Sequence, residues 1–248
     1  MELSDSAWTQ KWSRTPFDRV VAGPIVVETA YGTPPPRCGC DDEPVSSLWC
    51  ACLAEGMGMH FREGVRVLDF GCGYGRFFNF LAGQLRDFRY YGLEIPDSST
   101  RHGEQCIDFA RRAFGRDPRA EFDYSGGELE ARALREADVV VLGSVFPHVK
   151  FERFDQLFST FVPVIERGGA VVFTIVLGNT YVCDGPGFVL DMGEQFFQQV
   201  TYTRRQLLGY FRDRGLSATE TGYFGAPIEE DQTHSTGGVG QHVFRVES

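Results

Sequence analysis

The chain has no apolar run approaching the roughly 18 residues that a membrane-crossing helix requires, so no membrane partner is expected. A basic leader followed by an apolar stretch is also missing over Met1 to Trp12. With an odd count of 7 cysteines, this points to reduced thiols and a cytoplasmic protein. Basic charge is scarce: 24 Lys and Arg stand against 34 Asp and Glu, for a formal net charge of −10, and no Lys/Arg-rich run offsets it locally. Such a surface repels a phosphate backbone, and no nucleic acid is expected as a partner. The zinc-ligand spacing C-x₂₋₄-C is absent too. Cys38-Gly39-Cys40 and Cys50-Ala51-Cys52 are C-x-C pairs. A helical apolar stripe of Val45, Leu48, Trp49, Cys52 and Leu53 would turn Cys50 about 200° from Cys52, so no metal site is expected.

At 248 residues and 42% hydrophobic, the chain is long enough to bury one substantial core. Its most informative stretch is Val65-Arg66-Val67-Leu68-Asp69-Phe70-Gly71-Cys72-Gly73-Tyr74-Gly75, an apolar strand running through an acid into three glycines at alternate positions. Glycine permits positive φ there, and the turn is expected to leave bare N–H groups at the start of the next helix. A dinucleotide fingerprint, G-x-G-x-x-G, would place its third glycine one position later, which disfavours an NAD-dependent dehydrogenase. Downstream, Tyr90-Tyr91-Gly92-Leu93-Glu94-Ile95-Pro96 reads as a strand ending in an acid, 19 residues after Gly75. Phe77, Phe80 and Leu81 mark a helix between the two. The continuous runs Ala137 to Gly143 and Gly169 to Ile175 have the form of central parallel strands buried on both faces. Phe151, Phe154, Phe158, Phe161 and Ile165 predict an intervening helix that Arg167-Gly168-Gly169 ends and Pro163 kinks or shortens.

The acid followed by G-x-G-x-G resembles motif I of the class I S-adenosylmethionine (SAM) dependent methyltransferases. Two further stretches are similar to that family. Asp138 to His148 resembles its fourth strand and following loop, and Thr203 to Phe211 with Arg214-Gly215-Leu216 resembles its last helix and the turn into a final hairpin. The resemblance implies an α/β fold: a doubly wound, mostly parallel seven-stranded sheet with a terminal antiparallel hairpin, plus an N-terminal extension. Residues 1–44 would be that extension and 45–248 the SAM-binding domain. SAM is the implied cofactor. Asp69, Gly71, Cys72, Gly73 and Gly75 would hold its methionine half, and Glu94 with Ile95 its ribose. Gly127, Glu128 and Leu129 would lie on the adenine side, with Ser144 beyond the fourth strand. Many members place an acid after the third strand, where this chain has Ser125-Gly126-Gly127-Glu128-Leu129; either Asp123 or Glu128 substitutes, or backbone reads the adenine alone.

Methyl transfer from a sulfonium demands orientation, desolvation and a nucleophile free of its proton. His148, just past the fourth strand, is the candidate base, with packing against the next helix as the other role open to it. Tyr31, Phe146, Tyr181 and His234 are the candidate substrate-binding residues. Gly143-Ser144-Val145-Phe146 lacks the [N/D]-P-P-[Y/F] sequence of base-modifying members, and no C-x₃-C-x₂-C suggests radical chemistry. The expected activity is methyl transfer to a small-molecule acceptor, at a hydroxyl of a metabolite or natural product of secondary metabolism, by a monomer or homodimer. The alternatives are a protein, peptide or amine N-methyltransferase, or a non-catalytic SAM-binding protein. The aromatic, proline-broken first 44 residues read as a lid over the site, an outer extension or a dimer arm.

Overall fold

The computed structural model describes residues 43–95, 105–178, 200–224 and 241–248. In chain order the helices are α1 (Glu43–Met57), α2 (Arg76–Gln84), α3 (Cys106–Phe114), α4 (Glu128–Glu136), α5 (Phe151–Ser159), α6 (Val162–Glu166) and α7 (Arg204–Arg212). The strands are β1 (Val65–Phe70), β2 (Phe88–Glu94), β3 (Ala120–Tyr124), β4 (Val139–Leu142), β5 (Ala170–Gly178), β6 (Thr201–Thr203), β7 (Ser217–Phe224) and β8 (Gln241–Glu247). They form one sheet in the order β3-β2-β1-β4-β5-β8-β7, parallel from β3 to β5 and antiparallel where β8 meets β5 and β7. This is the expected doubly wound sheet with its terminal hairpin. An eighth strand, the short β6, adds to it by pairing in parallel with the end of β5.

Alternation along the central strands assigns their side chains to two cores. Val65, Val67, Val139, Val141, Ala170 and Val172 face α1, α2 and α3. Leu68, Val140, Leu142, Val171, Phe173 and Ile175 face α4 through α7. Because helices cover both faces, neither side of the central strands meets solvent, and β4 and most of β5 are apolar on both faces, with Thr174 the exception in β5. The second core is strongly aromatic. Phe158 has ring centroids of Tyr210 and Phe211 at 6.0 and 4.9 Å, edge to face, and Phe154 stacked at 5.8 Å.

The helix expected over 151–165 is divided in two. It ends at Ser159, and Pro163 lies in the first turn of α6, where a missing N–H leaves no intrahelical bond unmade. Gly168, at φ 82°, then ends α6 as expected, with the Gly169 N–H donating to the Val164 carbonyl at 3.0 Å. Residues 1–42, most of the expected extension, lie outside the described residues. Among those described, no helix is long and apolar enough to cross a membrane.

Phe158 is fully buried in the aromatic core. Its replacement by alanine is expected to cost about 3–5 kcal/mol. Urea unfolding followed by circular dichroism checks this, and a midpoint unchanged from wild type would contradict the packing described.

Candidate functional site

In the sheet order β1 stands between β2 and β4, so the chain leaves the sheet in opposite directions after β1 and β4 and opens a crevice at their carboxyl ends. Polar groups gather there. Of the four buried polar or charged residues among those described, His60, Asp69, Glu94 and Thr174, the last three belong to β1, β2 and β5 near that end.

The glycine turn follows β1 directly. Gly71, Gly73 and Gly75 all have positive φ, 80°, 54° and 88°. A Cβ on Gly71 would stand 2.5 Å from Val145 Cγ2, whereas one on Gly73 would meet nothing within 4 Å, so the turn is open at Gly73. Gly75 caps the start of α2. Within the turn itself, the first three N–H groups are engaged. Gly71 and Cys72 both donate to the Leu93 carbonyl, at 2.8 and 3.0 Å, and Gly73 N–H donates to Glu94 Oε2 at 2.7 Å. The turn thus lies over the end of β2, where it supplies donors to the Leu93 carbonyl and to one oxygen of the Glu94 carboxylate.

Glu94 therefore sits as expected beside the turn, and its other oxygen accepts the Ile95 N–H at 2.9 Å. Burial raises its pKa above the ordinary carboxylate value, and these two backbone bonds oppose the rise. Ile95 itself is half exposed at the strand end. Asp69 is more enclosed, at 2% exposure, and accepts a hydrogen bond from the Tyr90 hydroxyl. Burial pushes its carboxyl up to about 7; the Tyr90 hydroxyl opposes that rise, nearby Glu94 adds to it and Arg76 opposes it. The Cys72 thiol in the turn is pushed well above its ordinary value, chiefly by burial and then by Asp69 and Glu94. The crevice thus holds two carboxylates, and the first three N–H groups of the turn are already engaged. That composition suits ammonium and hydroxyl groups and is a poor cradle for a pyrophosphate.

Across the crevice, Ser144 follows β4 in the left-handed region at φ 60°, which a serine adopts only when held. Its N–H donates to Thr174 Oγ1 at 2.7 Å, and the Thr174 hydroxyl donates to Gln241 Oε1 at 2.5 Å. Gln241 Nε2 in turn donates to Ser144 Oγ at 3.2 Å. Strands β5 and β8 thereby hold the residue at the end of β4. Trp49 of α1 closes against Gly143, where a Cβ would come within 2.2 Å of its ring, and Arg76 lies 5.0 Å from the centroid of the same indole.

Phe146, expected in the acceptor pocket, is instead a core residue. It is fully buried, 4.4 Å from the Phe154 ring and 5.0 Å from Phe173, because the short 3₁₀ turn Phe146–His148 folds it under the sheet end. His148 ends that turn, at the mouth of the crevice; its side chain, like Tyr31, Tyr181 and His234, lies outside the described residues. On the other side, Gly127 precedes α4, and Glu128 and Leu129 line a groove of about 740 Å³ along the outer edge of β3. Asp123 is taken up there by Arg111 and by the Tyr124 N–H, and Arg111 Nε caps the Phe122 carbonyl on the free edge of β3. Among the described residues no group of three or more His, Cys, Asp or Glu could hold a metal ion. Tyr90, Thr174 and Gln241 were not among the candidates from the sequence, since nothing local distinguishes them from ordinary strand residues.

Residues 68–171 match a family profile described as a methyltransferase domain. No curated protein matches the chain by sequence. Among solved structures, the fold is similar to an O-methyltransferase family protein from Burkholderia thailandensis, with 18% identity and a TM-score of 0.55 over 82% of this chain and 55% of that one. It is also similar to human N-acetylserotonin methyltransferase in complex with SAM, with 14% identity and a TM-score of 0.52 over 82% and 53%. Magnesium protoporphyrin IX methyltransferase from Synechocystis PCC 6803, with bound SAH, gives 16% identity and 0.51 over 83% and 82%. The chain thus spans about half the length of the first two.

The Asp69 environment predicts an unusual pH dependence of stability. The folded chain retains a proton that the unfolded chain loses near the ordinary value of 3.8, until the folded carboxyl ionises near 7. Stability from this group is therefore full below that window and falls, by up to about 4 kcal/mol, as pH rises through it. Asp69→Asn is expected to unfold at higher urea than wild type at pH 8, with the margin shrinking toward pH 4. A margin independent of pH would contradict the assignment.

Proposed function

From a chain with the class I, Rossmann-like fold of SAM-dependent methyltransferases and a methyltransferase domain at residues 68–171, we propose an enzyme that methylates a hydroxyl oxygen of a small-molecule acceptor, with SAM as cofactor. The observation that carries the donor side is the pair of buried carboxylates, Asp69 and Glu94, on either side of a glycine turn that is open at Gly73. SAM presents an ammonium group and two vicinal ribose hydroxyls, all donors, and its charge is positive; this crevice with its two carboxylates fits it on both counts. A dinucleotide would bring a pyrophosphate to a turn whose Gly71, Cys72 and Gly73 N–H groups are already engaged.

In this reading Asp69, Gly71, Cys72, Gly73 and Gly75 form the methionine end of the donor pocket. Glu94 and Ile95 flank the ribose, and Gly127, Glu128 and Leu129 border the adenine. SAM supplies an electrophilic methyl group on a sulfonium. The chain's own contribution is to align the acceptor oxygen in line with it, exclude water and take the hydroxyl proton. Ser144, held left-handed between Thr174 and Gln241, borders the reacting centre, and His148 at the mouth is the base. Small-molecule acceptors are favoured by the structural neighbours, which include an O-methyltransferase family protein and a magnesium protoporphyrin IX methyltransferase, and by a net charge of −10 that opposes nucleic acid.

The reading is tested by incubating the chain with methyl-labelled SAM and a panel of phenols, alcohols and amines, and measuring release of S-adenosylhomocysteine. Transfer to hydroxyl acceptors is expected. Label entering only amines or polypeptide would replace the O-methylation reading, and SAM binding without turnover on any acceptor would leave a non-catalytic binding protein. On a hydroxyl acceptor that turns over, His148→Ala is expected to lower kcat at least ten-fold, with SAM affinity near wild type. Glu94→Gln is expected to weaken SAM binding by about 1–3 kcal/mol in calorimetry, the worth of charge-assisted hydrogen bonds.

A further inference from the structure

Asp69 and Tyr90 form a unit that the donor-pocket reading does not by itself require. Tyr90 is fully buried on β2, one strand over from Asp69, and its hydroxyl makes the one hydrogen bond to the Asp69 carboxylate among the described residues. The phenol ring is boxed. Phe78 of α2 and Phe122 of β3 lie at 5.3 and 5.5 Å from it, and Gly92 next to it leaves the space: a Cβ there would come 2.5 Å from the Phe122 ring and 3.0 Å from the Tyr90 ring. The hydroxyl is thus aimed by packing from three elements.

We propose that Tyr90 is a positioning residue of the donor pocket: its boxed hydroxyl holds one oxygen of Asp69 so that the carboxylate meets the ammonium group of SAM, and uptake of SAM releases the Asp69 proton. The proposal rests on the reading that Asp69 lies at the methionine end of SAM. In the step, the Asp69 O–H bond breaks, its electron pair stays on the carboxylate, the proton leaves to solvent, and an N⁺–H···O⁻ hydrogen bond takes its place. The other groups around Asp69 leave that role to it. Cys72 in the turn and Tyr90 itself are held in their neutral forms by burial, and Cys50 of α1, near Tyr90, is a buried thiol. Arg76 at the start of α2 is a fixed positive charge. Glu94 is the one other carboxylate acting on Asp69, and it is already bonded to two backbone N–H groups. Removing the Tyr90 hydroxyl takes away the donor that favours the ionised form of Asp69, so ionisation moves to higher pH.

The experiment is calorimetric titration of the full chain with SAM between about pH 5.5 and about pH 7.5, below the range of about 7.7–8.0 where the ligand's own α-ammonium titrates. Wild-type affinity is expected to rise on the order of 20-fold across the interval, the rise set by one carboxyl ionising near its upper end. Tyr90→Phe keeps the ring and its packing. It is expected to bind about ten-fold more weakly at the acid end, with the gap closing toward the alkaline end. Asp69→Asn is expected to bind with no pH dependence, and Glu94→Gln to bind more weakly with a pH-dependent rise that is smaller than wild type but retained, since Glu94 adds to the upward shift of Asp69. A Tyr90→Phe gap constant with pH, a flat wild-type profile, or a slope that vanishes in Glu94→Gln would each overturn the proposal. Wild-type chain that binds no SAM at any pH would instead overturn the cofactor reading on which it rests.

Discussion

The sheet is covered by helices on both faces, and most of the rest follows from that. A strand with no solvent face has little room for a polar side chain away from its ends, so β4 is wholly apolar and β5 carries one polar side chain, Thr174, before its last residue. Asp69 and Glu94 stand at such ends, and Thr174 lies four residues before the end of β5. The same enclosure that stabilises the two cores keeps water from these groups. Burial therefore raises the Asp69 and Glu94 carboxyls, and the Tyr90 hydroxyl for Asp69 and two backbone N–H groups for Glu94 oppose that rise.

The crevice at the β1/β4 switch point has two walls of different construction. On the β1 and β2 side, a glycine turn is tied down onto the end of β2 beside two carboxylates that burial raises, with Glu94 adding to the rise of Asp69. On the β4 side, the backbone at Ser144 is held in a left-handed conformation by hydrogen bonds from β5 and β8. The terminal antiparallel pair is thus more than an edge extension. Its first residue, Gln241, reaches across to the switch point and makes the hairpin part of the site's support.

The glycine turn and the two acids beside it were legible because their signals are local. The alternate glycines, Asp69 two residues before the first of them and Glu94 at the end of the next apolar run all lie within one β-α-β unit, and backbone geometry alone links their spacing to their positions. Phe146 was misplaced for an equally physical reason. An aromatic residue just beyond a strand can line a pocket or turn under the sheet, and the 3₁₀ turn that sends it to Phe154 leaves no mark in composition. The engaged N–H groups of the turn were likewise hidden, since the Leu93 carbonyl that accepts them comes from the neighbouring strand. The division of the helix at Pro163 was anticipated in kind, although the proline starts the second helix and does not bend the first.

The amino-acid sequence by itself determined the fold class, the course of the parallel strands and the two acids that face the donor crevice, because strand burial and glycine conformation are written in patterns a few residues long. Only the tertiary structure decided which groups control those acids and that serine. Tyr90 meets Asp69 across 21 residues, and Gln241 meets Ser144 across 97. Such pairings come from strand order and register in the sheet, and no residue carries a local trace of the partner that packing brings to it.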